Sequence, residues 1–332
     1  MKLYLEDGSC FEGVSAGAER SVAGEVVFTT GMAGYPEALT DPSYKGQIVV
    51  FSYPLIGNYG LKGEMQSSGI KASGVIAHRI TSSELKDWLI RENVPAIEGI
   101  DTRDLVKRIR EKGVMRGSIG ARTYESFDYE GFNAVDDVST KSPEIIGEGS
   151  RNVLLVDLGV KNAIIKELLS RGLRLIRVSW DCDLREAFEE HSCEAVVISN
   201  GPGNPVLLKK TVAEIKRLPD ETPALGICLG AQMLAIAEGA EIYKMRYGHR
   251  GTNKPVRDVL DGRCYITSQN HGYAIDESTL CSKVWMKSLD DDSVEAFKGK
   301  SSIGVQFHPE GSPGPLDTEW IFDSFLREVL YA

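Results

Sequence analysis

The sequence has no long apolar run. None of its 332 residues falls in a stretch that approaches the ~18 apolar residues of a membrane-spanning helix. The opening segment, MKLYLEDGSCFEG, has acidic and turn residues where a secretion signal needs an uninterrupted apolar core. We therefore expect a cytoplasmic protein without a membrane partner.

The sequence also has too little positive charge for a general nucleic-acid binder. Lys and Arg number 38 against 48 Asp and Glu, which gives a formal net charge of −10. A protein that binds nucleic acids or anionic membranes needs clustered positive charge on its surface. The basic run 104–113, DLVKRIREKG, places Leu105 and Ile109 four residues apart, which predicts a helix with one buried stripe and a solvated cationic face. We expect no nucleic-acid partner.

Paired cysteines are absent as well. The six cysteines have no CxxC pair or other metal-type spacing, so we predict neither a disulfide framework nor a metal site. They are Cys10, Cys182, Cys193, Cys228, Cys264 and Cys281. The chain also has no G-x-x-x-x-G-K-[ST] loop, so we expect no bound ATP and no cofactor in this chain.

The chain is long enough for two domains. In residues 1–148, alternating patterns and an Asp7-Gly8 turn predict a hairpin and further strands with few helices, a mixed, β-rich α+β domain. Residues 136–152 are polar with little apolar periodicity, which is typical of a linker. We place the domain boundary between residues 148 and 149.

Residues 149–332 alternate short apolar strands with helical segments. Apolar runs such as NVLLVDLG, EAVVISN and PALGIC are separated by helical patterns of about ten residues, which indicates parallel strands covered on both faces. The predicted fold class is α/β, with a doubly wound, mostly parallel sheet in this domain. Such sheets bind ligands beyond the carboxyl ends of their strands.

Cys228 lies at one of these strand ends. In GICLGAQ, PALGI predicts a strand and the residues after the cysteine predict a helix, so Cys228 would occupy a sharp turn like the serine of a nucleophile elbow. Gly226 and Gly230 permit close backbone packing, and the helix N-terminus favours a thiolate. A cysteine after an apolar strand is also common as a small buried apolar residue, and the motif alone leaves the two interpretations even.

A second strand end favours the catalytic interpretation. In GVQFHPEGSPGP, His308 and Glu310 are two apart in extended chain and share a side, so the carboxylate could orient the ring. A cysteine, a histidine and a carboxylate form the arrangement of nucleophilic acyl transfer. The other four histidines are interpreted as structural.

These motifs resemble a known family. The segments GICLGAQ (226–232) and FHPE (307–310) are similar to the class I, or triad, glutamine amidotransferases. The segments SNGPGNP (199–205), SQNHGYAID (268–276) and residues 29–60 resemble one branch more closely, the carbamoyl-phosphate synthetase small-subunit family. The matching blocks span nearly the whole chain, including a first domain that other amidotransferases lack.

The resemblance implies roles for individual residues. It makes Cys228 the nucleophile, His308 the general base and acid, and Glu310 the group that orients His308. The remaining positions would bind glutamine or its oxyanion: Ser43, Gly201, Gly203, Leu229, Gln232, Asn270, Gly272 and Tyr273. Two positions depart from the family pattern, Ala231 in place of histidine and Asn204 in place of aspartate.

The resemblance also implies a partner and a pathway. Ammonia would be released from glutamine through a γ-glutamyl thioester and passed to the large subunit of carbamoyl-phosphate synthetase, which would hold ATP and a divalent metal, for arginine and pyrimidine synthesis. The first domain would then dock to that subunit. Two alternatives stay open, a stand-alone γ-glutamyl hydrolase or glutaminase and a non-catalytic regulatory subunit.

Overall fold

A computed structural model describes residues 1–219 and 221–330, and contacts divide the chain into two units. The first unit is Met1–Phe132 with Arg246–Gly251. The second is Asn133–Met245 with Thr252–Ala332. Throughout the described ranges, no helix combines the length and apolar character that crossing a bilayer requires.

The first unit is rich in short strands, which are β1 (Lys2–Leu5), β2 (Cys10–Glu12), β3 (Val14–Ser15), β4 (Val22–Thr29), β5 (Gln47–Phe51), β6 (Leu55–Ile56), β7 (Gly74–Ile76), β8 (Arg79–Ile80), β9 (Ala96–Glu98) and β10 (Met115–Ile119). The predicted hairpin forms, because β1 and β2 pair antiparallel with Tyr4 opposite Cys10. The main sheet has the strand order β2-β1-β10-β4-β5-β7-β9-β3, and β6 and β8 form a small separate pair.

The helices of the first unit are short. They are α1 (Tyr35–Thr40), α2 (Ser83–Arg91) and α3 (Thr102–Lys112), with 3₁₀ turns at Pro42–Tyr44 and Tyr124–Ser126. Helix α3 begins where the Asp101 carboxylate accepts the N–H of Asp104 at 3.0 Å. Its residues Leu105 and Ile109 are fully buried, so the predicted apolar stripe is confirmed.

The second unit alternates strands and helices. Its helices are α4 (Ala134–Val138), α5 (Asn162–Ser170), α6 (Leu184–Glu190), α7 (Lys209–Ile215), α8 (Leu229–Glu238) and α9 (Trp320–Ser324), with 3₁₀ turns at Pro205–Leu207 and Glu277–Thr279 and a π-helical turn at Phe325–Leu330. Its strands are β11 (Glu144–Ile146), β12 (Arg151–Asp157), β13 (Leu173–Ser179), β14 (Ala195–Ile198), β15 (Ala224–Ile227), β16 (Ile242–Asp258), β17 (Cys264–Ile275), β18 (Lys283–Ser288), β19 (Val294–Lys298) and β20 (Ser302–Val305). The middle of β16, Arg246–Gly251, is counted with the first unit.

These strands form one sheet in the order β11-β13-β12-β14-β15-β20-β19-β18-β16-β17. The central strands β13, β12, β14, β15 and β20 run parallel to their neighbours in this group. Alternate residues of β12 enter different apolar clusters, Val153 and Leu155 in one and Leu154 and Val156 in the other, so both faces of the sheet are covered. The predicted fold class is confirmed for both halves of the chain.

The segment interpreted as a linker is folded. It includes the end of α4 and all of β11, and β11 pairs antiparallel with β13, with Ile145 opposite Ile176. An ion pair between Glu144 and Arg177 at 3.2 Å and a hydrogen bond from the Thr140 N–H to Asp157 at 2.8 Å add to this pairing. The linker interpretation was wrong, because the partners of these polar residues lie far along the sequence. Contacts place residues 133–148 with the second unit, while the predicted boundary at 148/149 stays a prediction.

Candidate active site

Cys228 occupies a strained corner between strand β15 and helix α8. Its backbone has φ 53° and ψ −107°, a left-handed conformation that is costly for a residue with a side chain. The Cys228 N–H donates to the Val305 carbonyl at 2.8 Å, which holds the corner against strand β20. Cys228 is 2% exposed, at the edge where parallel strands end. The predicted elbow is therefore present.

Two glycines make this corner possible. A Cβ atom at Gly230 would lie 2.0 Å from the carbonyl oxygen of Ile198, at the end of the neighbouring strand β14. A Cβ atom at Gly226 would lie 2.6 Å from the carbonyl oxygen of Gly230. Neither distance is tolerated by a real side chain, so only glycine lets strand β15, helix α8 and strand β14 approach each other this closely.

His308 and Glu310 follow the adjacent strand. Strands β15 and β20 are parallel neighbours with Ile227 opposite Val305, so their carboxyl ends lie at the same edge of the sheet. The His308 Nδ1–H donates to the Glu310 carboxylate at 2.7 Å, and the His308 N–H donates to the Ser268 carbonyl at 2.8 Å. Since Nδ1 holds the proton that Glu310 accepts, Nε2 is the ring nitrogen left for chemistry.

The His308–Glu310 pair is buried and charged. Burial opposes the charge on the ring, but the Glu310 carboxylate and the Cys228 thiol outweigh burial and the Lys161 charge, so the pKa of His308 is raised above its usual 6.5. Burial also opposes the charge on the carboxylate, but Lys161 and His308 lower the pKa of Glu310 below its usual 4.5. Among the described residues, no hydrogen-bond partner meets normal geometry at Nε2 of His308. The Cys228 thiol is nevertheless close enough to help raise the pKa of the ring.

Lys161 is a site residue that the sequence analysis did not identify. Its Nζ donates to the Glu310 carboxylate at 2.7 Å and to the Gly311 carbonyl at 3.1 Å, and its side chain is 2% exposed. The same carboxylate oxygen therefore accepts from both the lysine and the histidine. The available signal was weak: Lys161 follows the end of strand β12 in the apolar sequence DLGVKNAII, at the edge of the sheet where the site forms.

Replacing Lys161 with methionine is expected to destabilise the second unit by about 3 kcal/mol at pH 7, since a buried carboxylate would lose its cationic partner. The stabilisation from a lowered carboxylate pKa is present above pH 4.5 and is lost as the pH falls through the folded-state pKa of Glu310. The difference from the parent protein should therefore shrink below pH 4.5. Urea unfolding across this pH range measures it, with the exposed Lys216→Met as the matched control. Equal effects of the two variants at pH 7 would contradict the prediction.

The predicted oxyanion donors belong to helix α8 and to the loop after strand β14. Leu229 begins helix α8 directly after Cys228 and is 2% exposed. Gly201 and Gly203 lie on the loop after strand β14, which is the parallel neighbour of β15. A Cβ at Gly201 would lie 2.1 Å from the Leu158 carbonyl oxygen, and Gly203 has φ +90°. The backbone of this loop therefore requires glycine at both positions.

Strand β17 and helix α8 hold the other residues of the second unit that are predicted to bind glutamine. The Cys228 thiol donates to the Asn270 carbonyl, with a distance of 3.7 Å between sulfur and oxygen. The Gln232 amide donates to the Tyr273 carbonyl at 3.1 Å. Gly272 lies between these two β17 residues. The structure thus places Asn270 against the thiol and joins Gln232 to the same part of β17, while the contacts of these residues with glutamine stay a prediction.

Ser43 belongs to the first unit. It lies in the 3₁₀ turn Pro42–Tyr44, is buried, and its N–H donates to the Asp41 carboxylate at 2.9 Å. Its contact with glutamine stays a prediction.

The two departures from the family pattern have simple surroundings: Ala231 is fully buried in the apolar core, and the Asn204 side chain accepts the Val206 N–H at 3.1 Å.

Two family models match the chain. One is described as carbamoyl-phosphate synthase small chain, CPSase domain, and matches residues 3–119; the other is described as glutamine amidotransferase class-I and matches residues 154–328. A Pyrococcus furiosus protein named carbamoyl phosphate synthase small chain is 47% identical, over 98% of this chain and 96% of its own length. The chain belongs to the carbamoyl phosphate synthase small-chain family.

Other members of the carbamoyl phosphate synthase small-chain family align over the same extent. The Pyrobaculum aerophilum protein of that name is 46% identical, over 98% of this chain and 99% of its own length. The Methanocaldococcus jannaschii protein is 43% identical, over 98% of each chain. The resemblance predicted from the motifs is confirmed. As a small chain of this family, the protein carries its cysteine elbow and its His308–Glu310 pair within the amidotransferase match.

Proposed function

We propose that this chain is the glutamine-hydrolysing subunit of a carbamoyl phosphate synthase. In the proposal, Cys228, His308 and Glu310 form a triad that releases ammonia from glutamine. The observation that carries it is the thiol at a strained strand-to-helix corner, beside a strand that leads to a histidine held by a buried carboxylate. Membership of the small-chain family supports the same reaction.

The first half of the reaction forms a thioester. The Cys228 thiolate attacks the side-chain amide carbon of glutamine, and the resulting oxyanion accepts hydrogen bonds from the N–H of Leu229 and from one N–H of the Gly201–Gly203 loop. Removing one such donor typically costs about 10²- to 10³-fold in rate. The protonated His308 gives its Nε2 proton to the leaving nitrogen, the carbon–nitrogen bond breaks, and ammonia departs.

The second half regenerates the thiol. His308 Nε2, now neutral, takes a proton from water, and the resulting hydroxide attacks the γ-glutamyl thioester. The carbon–sulfur bond breaks, glutamate leaves, and the thiolate and imidazolium are restored. Glu310 keeps its negative charge throughout, since its role is to hold the ring and stabilise the imidazolium. Lys161 keeps that carboxylate ionised and oriented in a buried environment.

Glutamine would be held around this corner by several groups. We assign its contacts to Gln232 on helix α8 and to the Asn270–Tyr273 part of strand β17, where Asn270 accepts from the thiol and Tyr273 accepts from Gln232. The family resemblance also assigns a glutamine contact to Ser43, a residue of the first unit. These contacts would place the amide carbon near sulfur without any cofactor in this chain.

The ammonia needs an acceptor close by. Ammonia that escapes into neutral water is protonated and loses its nucleophilicity, so we propose direct transfer to the large subunit of the synthase, to which the first unit docks. ATP and a divalent metal would be held by that subunit, since this chain has no phosphate-binding glycine loop.

All six cysteines are free thiols, which supports a reducing, cytoplasmic location.

Glutamate release from glutamine by the purified chain tests the proposal. We expect a low rate that rises when the large subunit, ATP and bicarbonate are added. A full rate without the partner would favour a stand-alone glutaminase or γ-glutamyl hydrolase. No release under any condition, from a folded chain, would favour a non-catalytic regulatory subunit.

A further inference from the structure

The buried side chain of Gln306 connects the Cys228 sulfur to Gln232. Its Nε2 donates to the Cys228 Sγ at 3.7 Å, and its Oε1 accepts from the Gln232 Nε2 at 2.9 Å. Gln306 is 1% exposed and lies between strand β20 and His308, so water does not compete for these contacts. A buried glutamine at this position is costly unless both ends of its amide are bonded.

The direction of these hydrogen bonds is set from the far end. The Gln232 Nε2 donates to the Tyr273 backbone carbonyl at 3.1 Å, and a carbonyl oxygen only accepts. Gln232 therefore presents its NH₂ group to Gln306, so the Gln306 oxygen must accept. The Gln306 NH₂ group is left to point at sulfur. A backbone atom of β17 thus determines that the thiol faces a donor.

A donor on this side favours the thiolate. On another side, the Asn270 carbonyl oxygen accepts from the thiol at 3.7 Å, a contact that is useful only while the proton is present. Once sulfur loses its proton, the Gln306 N–H remains a favourable partner for the negative charge. The titratable or charged groups facing sulfur from the neighbouring strand are His308, backed by Glu310 and by Lys161 from the start of helix α5.

We propose that Gln306 is a positioning residue for the nucleophile: its N–H orients the Cys228 sulfur, stabilises the thiolate, and couples it to Gln232 through one hydrogen-bonded relay. The inference rests on the proposed function, because it assumes that Cys228 is the nucleophile. It adds a donor to the thiol that the triad does not contain. The relay also links the reacting sulfur to Gln232, one of the residues assigned to hold glutamine.

Two variants test the relay. Gln306→Met keeps the volume and removes the donor, and Gln306→Glu keeps the shape and places a carboxylate beside sulfur. The readout is the rate of Cys228 alkylation by iodoacetamide as a function of pH, with each cysteine followed by mass spectrometry. We expect the rate at pH 7 to fall about tenfold for methionine and further for glutamate, with the half-maximal pH moving upward.

Internal controls separate this effect from damage to the fold. The exposed Cys264 and Cys281 of the same molecules should keep their pH profiles. Gln47→Met is the matched variant, because Gln47 is also buried and donates to Glu25 at 2.9 Å, but in the first unit. It should leave the Cys228 profile unchanged, and thermal unfolding identifies any variant that has lost its fold.

An unchanged half-maximal pH in both folded Gln306 variants would overturn the proposal, whatever happens to glutamate release. A faster reaction of Gln306→Glu than of Gln306→Met would also overturn it, since the relay requires a donor at this position. The alkylation profile reads the sulfur environment without glutamine or a partner subunit. A failure of the proposed function, seen as glutamate release that does not need Cys228, is therefore distinguishable from a failure of the relay.

Discussion

Replacing Cys228 with serine is expected to lower glutamate release from glutamine by about 10⁴-fold or more, even with the large subunit, ATP and bicarbonate present. A serine hydroxyl has nearly the size of the thiol, so the corner between β15 and α8 should survive. A hydroxyl is far less acidic than a thiol, and this site, built around a buried histidine–carboxylate pair, would have to activate a much weaker nucleophile.

Cys193→Ser is the matched control for this substitution. Cys193 is also a buried cysteine of the second unit, and burial raises the pKa of its thiol to about 12, but it lies in the apolar core. This control should retain glutamate release, with at most a modest loss of stability. Release that persists in Cys228→Ser would show that another group attacks glutamine, and equal losses in the two variants would point to damage of the fold.

Replacing Gly230 with alanine is expected to reduce the free energy of unfolding of the second unit by about 4 kcal/mol and to abolish glutamate release. Alanine normally stabilises a helix relative to glycine, so helix propensity alone would increase the free energy of unfolding. The loss comes from packing: the added Cβ would lie 2.0 Å from the Ile198 carbonyl oxygen and 2.6 Å from its carbon, and both are backbone atoms that cannot rotate away. Helix α8 would have to move away from strand β14, taking the elbow with it.

Gly239→Ala provides the comparison, because Gly239 ends the same helix. It has φ +101° and no atom within 4 Å of an added Cβ, so its substitution tests backbone conformation without a clash. We expect a loss of about 1 kcal/mol and retained activity. Urea unfolding and glutamate release measured on both variants check this order. Equal stability of Gly230→Ala and the parent would mean that the corner is less tightly packed than these distances indicate.

Most of the fold could be predicted from local patterns. The apolar runs at β12, β14 and β15 and the helices between them were recognisable because strand and helix periodicities are properties of a few adjacent residues. The wrong linker interpretation of residues 136–152 has the opposite cause. Strand β11 has only three residues, Glu144–Ile146, and it is ordered by pairing with β13 and by the Glu144–Arg177 ion pair, which no local pattern contains.

The candidate site divides in the same way. The elbow and the His308–Glu310 pair were predictable, since both depend on close spacing: a cysteine between two glycines, and two residues that share one side of an extended segment. Lys161 and the orientation of Gln306 were not. Lys161 meets Glu310 across 149 positions of sequence, and the direction of the Gln306 amide depends on a carbonyl of strand β17.

The amino-acid sequence by itself determined the fold class, the family, the strand-end cysteine and the histidine–carboxylate pair, because each depends on residues that are close together in the sequence. Only the tertiary structure decided that a buried lysine anchors Glu310 and that a glutamine amide faces the sulfur. Both depend on parallel strands that end at one edge of a sheet, where side chains distant in sequence share a site with little water. In such a place, a charge or a hydrogen-bond donor needs a specific partner, and only the folded chain supplies it.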